Sequence, residues 1–186
     1  MGQYYKAIKI DEPMEYVSPW DYNNGSKLME HSYVGNNYVG TIMQLMTKGN
    51  NWHKKSIVWC GDYFNEENEE DYYHQVENNN KIKPSKTMTK IQQKKAILVN
   101  HTTKKYLMYS KLKSEKGWII NPLPLLTALG NGKGGGDYDG LNNNQIGTWA
   151  RHILSIEFLV PKGYDEIELE FKETSRKFQT KILIMK

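Results

Sequence analysis

The chain contains very little arginine and a single cysteine. Arg151 and Arg176 are the two arginines among its 25 basic residues. Because arginine is the side chain that recognises bases and phosphates through paired hydrogen bonds, this scarcity argues against specific reading of DNA. Cys60 has no second cysteine to pair with, which excludes an internal disulfide and favours a reducing compartment.

Long apolar stretches are also missing. No segment approaches the roughly 18 apolar residues of a membrane-spanning helix, so we expect no membrane partner. The first residues do not combine a basic start with an apolar run, so we expect no signal peptide and predict a cytoplasmic protein. A length of 186 residues lies within the range of one domain, and we predict a single domain over residues 1–186.

The chain is mildly basic and rich in aromatic side chains. Its 25 basic and 21 acidic residues give a formal net charge of +4, and its 13 tyrosines and 5 tryptophans supply stacking surfaces. A dedicated nucleic-acid-binding domain usually carries more, and more clustered, positive charge. The composition therefore favours anionic partners only weakly.

One amphipathic helix is evident from the spacing of apolar residues. The residues that define its apolar face are Val39, Ile42, Met43 and Met46. Asn36 or Asn37 can cap the start of this helix, and Gly49 can end it.

The remaining apolar segments are short and predict β-strands, at residues 4–10, 56–60, 96–100, 105–110, 117–120, 147–158, 167–171 and 181–185. Residues 121–124 predict an extended or turning path, because proline disfavours helix at the residue before it. Strands do not alternate regularly with helices, so we predict an α+β fold with a mainly antiparallel sheet and one or two helices. Residues 65–95, first acidic and then lysine-rich, predict a long polar excursion from this domain.

The glycine-rich segment at residues 130–140 is the most informative motif. Its glycines match the spacing of a dinucleotide-binding fingerprint, but no helix start follows, and Lys133 is not followed by the serine or threonine of a P-loop. Successive backbone N–H groups in such a turn bind anions, and Lys133 adds a positive charge. Trp149 and Arg151 follow closely and offer a stacking face and a phosphate contact. The alternative is a turn in which the glycines only satisfy backbone geometry.

These considerations define two sets of candidate residues. The predicted ligand-binding residues are Gly132, Lys133, Gly134, Gly135, Asp137, Tyr138, Trp149 and Arg151. The candidates for acid–base chemistry or metal binding are Glu30, His31, Asp62, His101 and Asp139. The sequence requires no cofactor, but its carboxylates are compatible with a bound divalent metal ion. An EF-hand is excluded because Leu141 and Thr148 replace two required ligands.

Several motifs are similar to those of a family of uncharacterised bacterial and phage proteins that begin with Met-Gly-Gln-Tyr-Tyr. They are Met-Gly-Gln-Tyr-Tyr-Lys at 1–6, Lys-Leu-Met-Glu-His-Ser at 27–32, Val-Trp-Cys-Gly-Asp-Tyr at 58–63, Val-Asn-His-Thr at 99–102, Asn-Pro-Leu-Pro-Leu-Leu-Thr-Ala at 121–128, the glycine-rich segment, and Gly-Thr-Trp-Ala-Arg at 147–151. The resemblance covers nearly the whole chain. It implies a single-domain protein of unassigned role and supplies no catalytic residues.

Three functions are compatible with these features, and whether the chain is an enzyme stays open. The first is a non-enzymatic binding protein, in a phage setting, that recognises a small anionic or nucleotide-like ligand through the glycine-rich segment. The second is a phage inhibitor of a host defence protein, which would use residues 65–95 to contact that protein. The third is a metal-dependent hydrolase or transferase of a phosphorylated substrate, with Asp62, Asp137 and Asp139 as ligands and His31 or His101 as base.

Overall fold

A computed structural model describes residues 3–63, 71–76, 80–115, 118–130 and 145–169. Within these ranges, an eight-stranded mixed and mainly antiparallel sheet packs with five short helices, which confirms the α+β class. The helices outnumber the one or two that we expected because four of them span only four to six residues, too few to show an apolar period. None of these helices has the length and apolar character needed to cross a membrane.

The strands are β1 (Tyr5–Lys9), β2 (Glu15–Val17), β3 (Lys55–Gly61), β4 (Ile97–Asn100), β5 (Lys105–Met108), β6 (Ser114–Glu115), β7 (Trp118–Ile119), β8 (Ala128–Leu129), β9 (Ile153–Glu157) and β10 (Asp165–Glu166). The helices are α1 (Leu28–His31), α2 (Asn37–Leu45), α3 (Tyr72–Gln75), α4 (Lys90–Lys95) and α5 (Pro122–Leu126). Strands β6 and β7 form a separate two-stranded ribbon.

Strand β3 lies at the centre of the main sheet, whose strand order is β10-β5-β4-β9-β3-β1-β2. Along one edge it pairs antiparallel with the whole of β1. Along its other edge it pairs first with β9, at Lys55 and Ser56, and then in parallel with β8, at Trp59 and Cys60. Two segments that are distant in sequence therefore share one edge of β3.

The sheet has two differently covered faces because successive side chains of a strand point to opposite sides. On one side, here called the α2 face, Tyr5, Ala7 and Trp59 belong to the main core, together with seven buried residues of α2. On the other side, the α3 face, Ile8, Val58 and Cys60 pack with Tyr72 of α3.

Helix α2 confirms the predicted amphipathic helix. The side chain of Asn36 caps it by accepting a hydrogen bond from the backbone N–H of Val39 at 3.1 Å. The helix ends at Leu45, so Gly49, with φ of +86°, lies in the turn beyond it and is not its terminator.

Two sequence-based predictions of local structure are wrong. Residues 121–124 are not extended, because Asn121 caps α5 by accepting from the N–H of Leu123 and Pro122 occupies the first helical position, where its missing N–H costs nothing. Residues 147–152 are turns rather than the start of a long strand. The backbone N–H groups of Gly147 and Trp149 bond to Leu125 and Leu126 of α5 instead of to a strand.

The other strand predictions have mixed outcomes. Strands β1, β3, β4, β5, β7 and β9 form within the segments predicted for them. The described part of the segment predicted at 167–171 contains no strand, since β10 precedes it and pairs in parallel with β5. The strand predicted at 181–185 lies outside the described residues.

The lysine-rich half of the polar excursion is packed onto the domain. Tyr16 and Lys81 form an isolated parallel β-bridge, and the N–H of Met88 donates a hydrogen bond to the carbonyl of Gly40 in α2. Gln93 is completely buried, and its side-chain amide donates to the carbonyls of Asn36 and Met88. Residues 80–95 are therefore part of the fold.

Replacement of Gly40 tests this packing. A Cβ at position 40 would lie 2.5 Å from Nε2 of Gln93 and 2.7 Å from the carbonyl oxygen of Met88. Alanine should gain about 1 kcal/mol of helix propensity, whereas overpacking costs about 1–3 kcal/mol, and the clash with the backbone carbonyl of Met88 favours the upper end of that cost. We therefore expect Gly40→Ala to unfold at lower urea concentration than the wild type. Equal or higher stability would show that residues 87–93 do not press on α2.

Candidate functional site

Most residues of the predicted glycine-rich site lie outside the described residues: Gly132, Lys133, Gly134, Gly135, Asp137, Tyr138 and Asp139. The residues that flank this gap are described. Leu129 and Ala150 both pack against the buried cluster on the α3 face. Ala128 and Ile146 pack instead with the main core, so the flanking residues are divided between the two faces of the sheet.

Trp149 and Arg151 lie on the far side of that gap. Trp149 is 4% exposed and belongs to the main core, so its indole does not line an open site. Arg151 has φ of 65°, and its N–H bonds to the carbonyl of Ile57 in β3. Its guanidinium carbon lies 5.7 Å from the ring centre of Tyr72, which places this positive charge on the α3 face.

His31 has a structural role. It is completely buried, and the N–H of the Trp59 indole donates to its Nε2 at 2.8 Å. Because an indole nitrogen is only a donor, the proton of His31 must lie on Nδ1, which donates to the carbonyl of Gly25 at 3.0 Å. Burial lowers the pKa of His31 to about 4, although the Gly25 bond and the charge of Glu30 oppose that shift. A neutral imidazole with both nitrogens engaged is not available as a catalytic base.

The two acidic candidates also bond to the backbone. Oε2 of Glu30 accepts from the N–H of Lys27 at 2.9 Å and so caps α1. Oδ1 of Asp62 accepts from the N–H of Tyr4 at 3.0 Å. In the described part of the chain, no group of three or more histidine, cysteine, aspartate or glutamate side chains is arranged to hold a metal ion.

His101 belongs to a chain of hydrogen bonds on the surface of the sheet that sequence reasoning did not find. Tyr164 Oη lies 3.0 Å from its Nδ1, and Ser155 Oγ lies 2.8 Å from its Nε2. Ser155 Oγ also donates to Oε1 of Glu157 at 2.8 Å, and His53 Nε2 bonds to the same oxygen at 2.9 Å. Ser155 and Glu157 are close in sequence, but the other members of the network are not, so no local motif predicts it.

The direction of these bonds decides their chemistry. Since Ser155 has one proton and gives it to Glu157, Nε2 of His101 must donate to Ser155 Oγ. A histidine that activates a serine must instead accept the serine proton. Ser155 is also completely buried. Burial acts to raise the pKa of Glu157, but hydrogen bonds from His53 and Ser155 outweigh it and lower that pKa. The network suits a stable ionised carboxylate, and it does not suit a serine nucleophile.

A cleft on the α3 face brings positive charge and aromatic rings together. This Lys6 cleft has a volume of about 120 Å³ and is lined by Tyr5, Lys6, Tyr16, Ser18, Pro19, Trp20, Ser26, Tyr73 and Lys81. The ammonium of Lys6 lies 3.6 Å from the ring centre of Tyr73 and 4.8 Å from that of Tyr16. Lys6 is only 5% exposed, whereas Trp20, near the mouth, is 66% exposed.

Cys60 lies close to two of the positive charges on this face. Burial first, and then the charge of Asp71, raise the pKa of its thiol to about 12, while Lys6 and Arg151 act to lower it. The thiol is therefore protonated and unreactive at neutral pH. The opposing effects of Lys6 and Arg151 indicate that both cations act on one region of the α3 face.

The residues of the Lys6 cleft escaped sequence reasoning because they come from separate segments. One local signal was present: Lys6 lies between apolar residues of β1 and, by the period of two, on the side opposite Tyr5 and Ala7. Nothing in the sequence indicated that Tyr16 and Tyr73 would flank it.

Comparisons with known proteins give no match to a family model, to a curated protein or to a solved structure. The resemblance to a bacterial and phage family stays a prediction from the sequence. A function is therefore argued from the geometry of the described residues.

The burial of His31 predicts a stability that depends on pH. The unfolded chain takes up this proton near pH 6.5 and the folded chain only near pH 4. The contribution of neutral His31 to stability should therefore be fully present above pH 6.5. It should be lost as the pH drops toward 4, which lowers the free energy of unfolding by on the order of 3 kcal/mol. Urea unfolding at pH 7, 6 and 5 measures the slope.

His31→Gln removes this titrating group and should reduce the pH dependence between 6.5 and 5, while lowering stability at pH 7. Some slope should remain, because burial also lowers the pKa values of His101 and His152. His74→Gln serves as the control, because His74 is 57% exposed and should leave most of the slope in place. A His31→Gln variant with the wild-type slope would contradict this assignment.

Proposed function

We propose that the chain is a non-enzymatic binding protein for a small anionic ligand that carries a planar group. The observation that supports this function is the ammonium of Lys6, held between two tyrosine rings in a cleft on the α3 face. The anion binds in the Lys6 cleft, and the planar group lies outside it against Trp20.

The charge of the cleft favours an anion. Lys6 is almost completely buried, and a charge in such a low-dielectric setting interacts more strongly with a ligand than one in water does. Lys81 also lines the cleft, but its ammonium pairs with Oδ1 of Asp21 at 2.9 Å, so Lys6 is the lining residue on which the attraction of an anion depends. Arg151 lies on the same face, over Tyr72.

The size of the cleft limits what enters it. Its volume of about 120 Å³ is below the roughly 300 Å³ at which drug-sized pockets begin. A phosphate or carboxylate group fits this space, whereas a whole nucleotide does not. The exposed ring of Trp20 beside the cleft offers a stacking surface of the type that holds a nucleobase.

The other predictions from the sequence stand beside this proposal. Leu129, which lies just before the glycine-rich segment, packs on the α3 face, and a role for that segment in anion binding stays a prediction. The phage setting, the cytoplasmic location and the inhibition of a host protein stay predictions. The geometry of the described residues offers no support for the metal-dependent enzyme.

A matched pair of lysines on β1 tests the proposal. Lys6→Met keeps the aliphatic length but removes the charge, and it should abolish the heat of binding for any nucleotide or phosphorylated metabolite that the wild type binds. Lys9→Met is the control, because Lys9 is 4% exposed on the opposite face of the same strand, where it pairs with Glu15 at 3.4 Å. Isothermal titration against a panel of such compounds gives the comparison.

Thermal melting of both variants must first show that they fold. No binding by the folded wild type to any compound of the panel would refute the proposed function. Equal loss of binding in Lys6→Met and Lys9→Met would show that the ligand binds outside the Lys6 cleft.

The role of Trp20 gives an independent expectation. Trp20→Ala should weaken the binding of a nucleotide by about 1–3 kcal/mol, which is the usual contribution of base–aromatic stacking. The binding of inorganic phosphate should be almost unchanged. Titrations with a nucleoside monophosphate and with phosphate alone separate the two contributions. An equal loss for both ligands would show that Trp20 shapes the cleft and does not stack.

A further inference from the structure

A second cleft lies apart from the Lys6 cleft and combines a tryptophan with lysines. This Trp118 cleft has a volume of about 230 Å³, opens to solvent, and is lined by Tyr33, Val34, Gly35, Lys90, Trp118 and Ile119. Its residues come from the segment after α1, the start of α4 and strand β7. None of them was singled out by the sequence, and none belongs to the Lys6 cleft.

Backbone hydrogen bonds fix the floor of the Trp118 cleft. The N–H of Val34 bonds to the carbonyl of Ile119 at 2.8 Å, and the N–H of Gly35 bonds to Oε1 of Gln93 at 2.8 Å. Gly35 has φ of +103°, and a Cβ there would lie 3.1 Å from Cδ of Lys90. The glycine lets the stem of Lys90 lie against the backbone, where Lys90 lines the cleft.

Trp118 is presented to solvent in a supported orientation. Its side chain is 61% exposed, and the ring of Tyr33 meets it edge-on, with centres 5.1 Å apart and planes at 77°. Such a contact holds the indole in place while leaving much of its surface open. An exposed but oriented ring is a platform on which a planar group can stack.

The segment that borders this platform carries positive charge alone. Residues 80–95 contain no aspartate or glutamate and six lysines: Lys81, Lys83, Lys86, Lys90, Lys94 and Lys95. Lys81 pairs with Asp21, and the other five make no ion pair within the ranges that the structure describes. Lys94 lies one turn along α4 from Lys90, so both ammonium groups are on the same side of that helix.

We propose that the Trp118 cleft and the lysines of α4 bind single-stranded nucleic acid without sequence preference. A base stacks on Trp118, and Lys90 and Lys94 contact the adjoining phosphates. Proteins that bind single strands in this way combine a basic surface with aromatic platforms, and their lysines need not read base edges. The proposal does not rest on the ligand of the Lys6 cleft.

Other occupants fit the surface less well. Reading of duplex DNA requires an exposed helix or ribbon in the major groove, whereas seven of the nine residues of α2 are buried, α4 has six residues and each strand of the β6–β7 ribbon has two. An acidic peptide would match the lysines but would leave the oriented indole of Trp118 without a planar partner. A base with its phosphate uses both features.

Fluorescence titration tests the site with an oligothymidylate of about 12 nucleotides. Trp118→Ala should weaken binding between about fivefold and a hundredfold and remove most of the quenching, whereas Trp118→Phe should keep part of the affinity. Phe158→Ala is the matched control, because Phe158 is an exposed aromatic residue (51%) that lines neither cleft, and it should bind like the wild type.

The salt dependence tests the lysines. Lys90→Gln and Lys94→Gln should each reduce the slope of log K against log salt concentration by about 0.7, the value for one lost contact to a single-strand phosphate. Lys48→Gln, an exposed lysine beyond the far end of α2, should leave the slope unchanged.

Two further results would overturn the proposal. One is an unchanged affinity of Trp118→Ala for the oligonucleotide. The other is binding of poly-glutamate as tight as that of the oligonucleotide and lost in Lys90→Gln, which would mark an acidic protein segment as the occupant. In the first case, loss of oligonucleotide binding in Lys6→Met would assign the nucleic acid to the Lys6 cleft instead.

Discussion

The antiparallel pairing of β1 with β3 is the constraint on which the arrangement of the molecule depends. It fixes which side of the sheet each residue of two central strands occupies. Tyr5, Ala7 and Trp59 are thereby directed into the main core, and Lys6 and Cys60 to the opposite side. A shift of β1 by one residue relative to β3 would turn Tyr5 and Ala7 away from the main core and direct Lys6 into it.

The polar side chains of this protein are used mainly to hold the fold. His31 ties Trp59 to the carbonyl of Gly25, and Glu30 caps the helix that contains both residues 30 and 31. Buried polar groups stabilise a fold only when each of their hydrogen bonds is made, and His31 meets that condition. The same side chains looked like acid–base candidates in the sequence because sequence alone does not show which partners occupy them.

Secondary structure that depends on local residue patterns could be predicted from the sequence, whereas contacts between distant segments could not. The period of α2 and the alternation of β1, β3 and the β4–β5 hairpin depend on neighbours in the chain, and these elements were found. The helix at α5 was missed because a proline at its first position looks the same in sequence as a proline in a turn. The turns at 147–152 were missed because their partners are carbonyls of α5.

The candidate sites could not be predicted because they also consist of residues from distant segments. The Lys6 cleft gathers β1, β2, a turn and α3, and the Trp118 cleft gathers the segment after α1, α4 and β7. A sequence lists such residues tens of positions apart and does not show which of them will meet. Only the unusual lysine within β1 could have been noticed in advance.

The way in which β3 shares one edge between two partners also bears on how this protein can change. Ala128 and Leu129 are held by their own pairing with Trp59 and Cys60, and residues 145–151 are held by bonds to α5 and to Ile57. The two anchors also touch, because a Cβ at Gly147 would lie 2.5 Å from the carbonyl oxygen of Ala128. A substitution at Gly147 would therefore strain both partners of this edge of β3 together, which makes that glycine a position where a single change reaches the centre of the sheet.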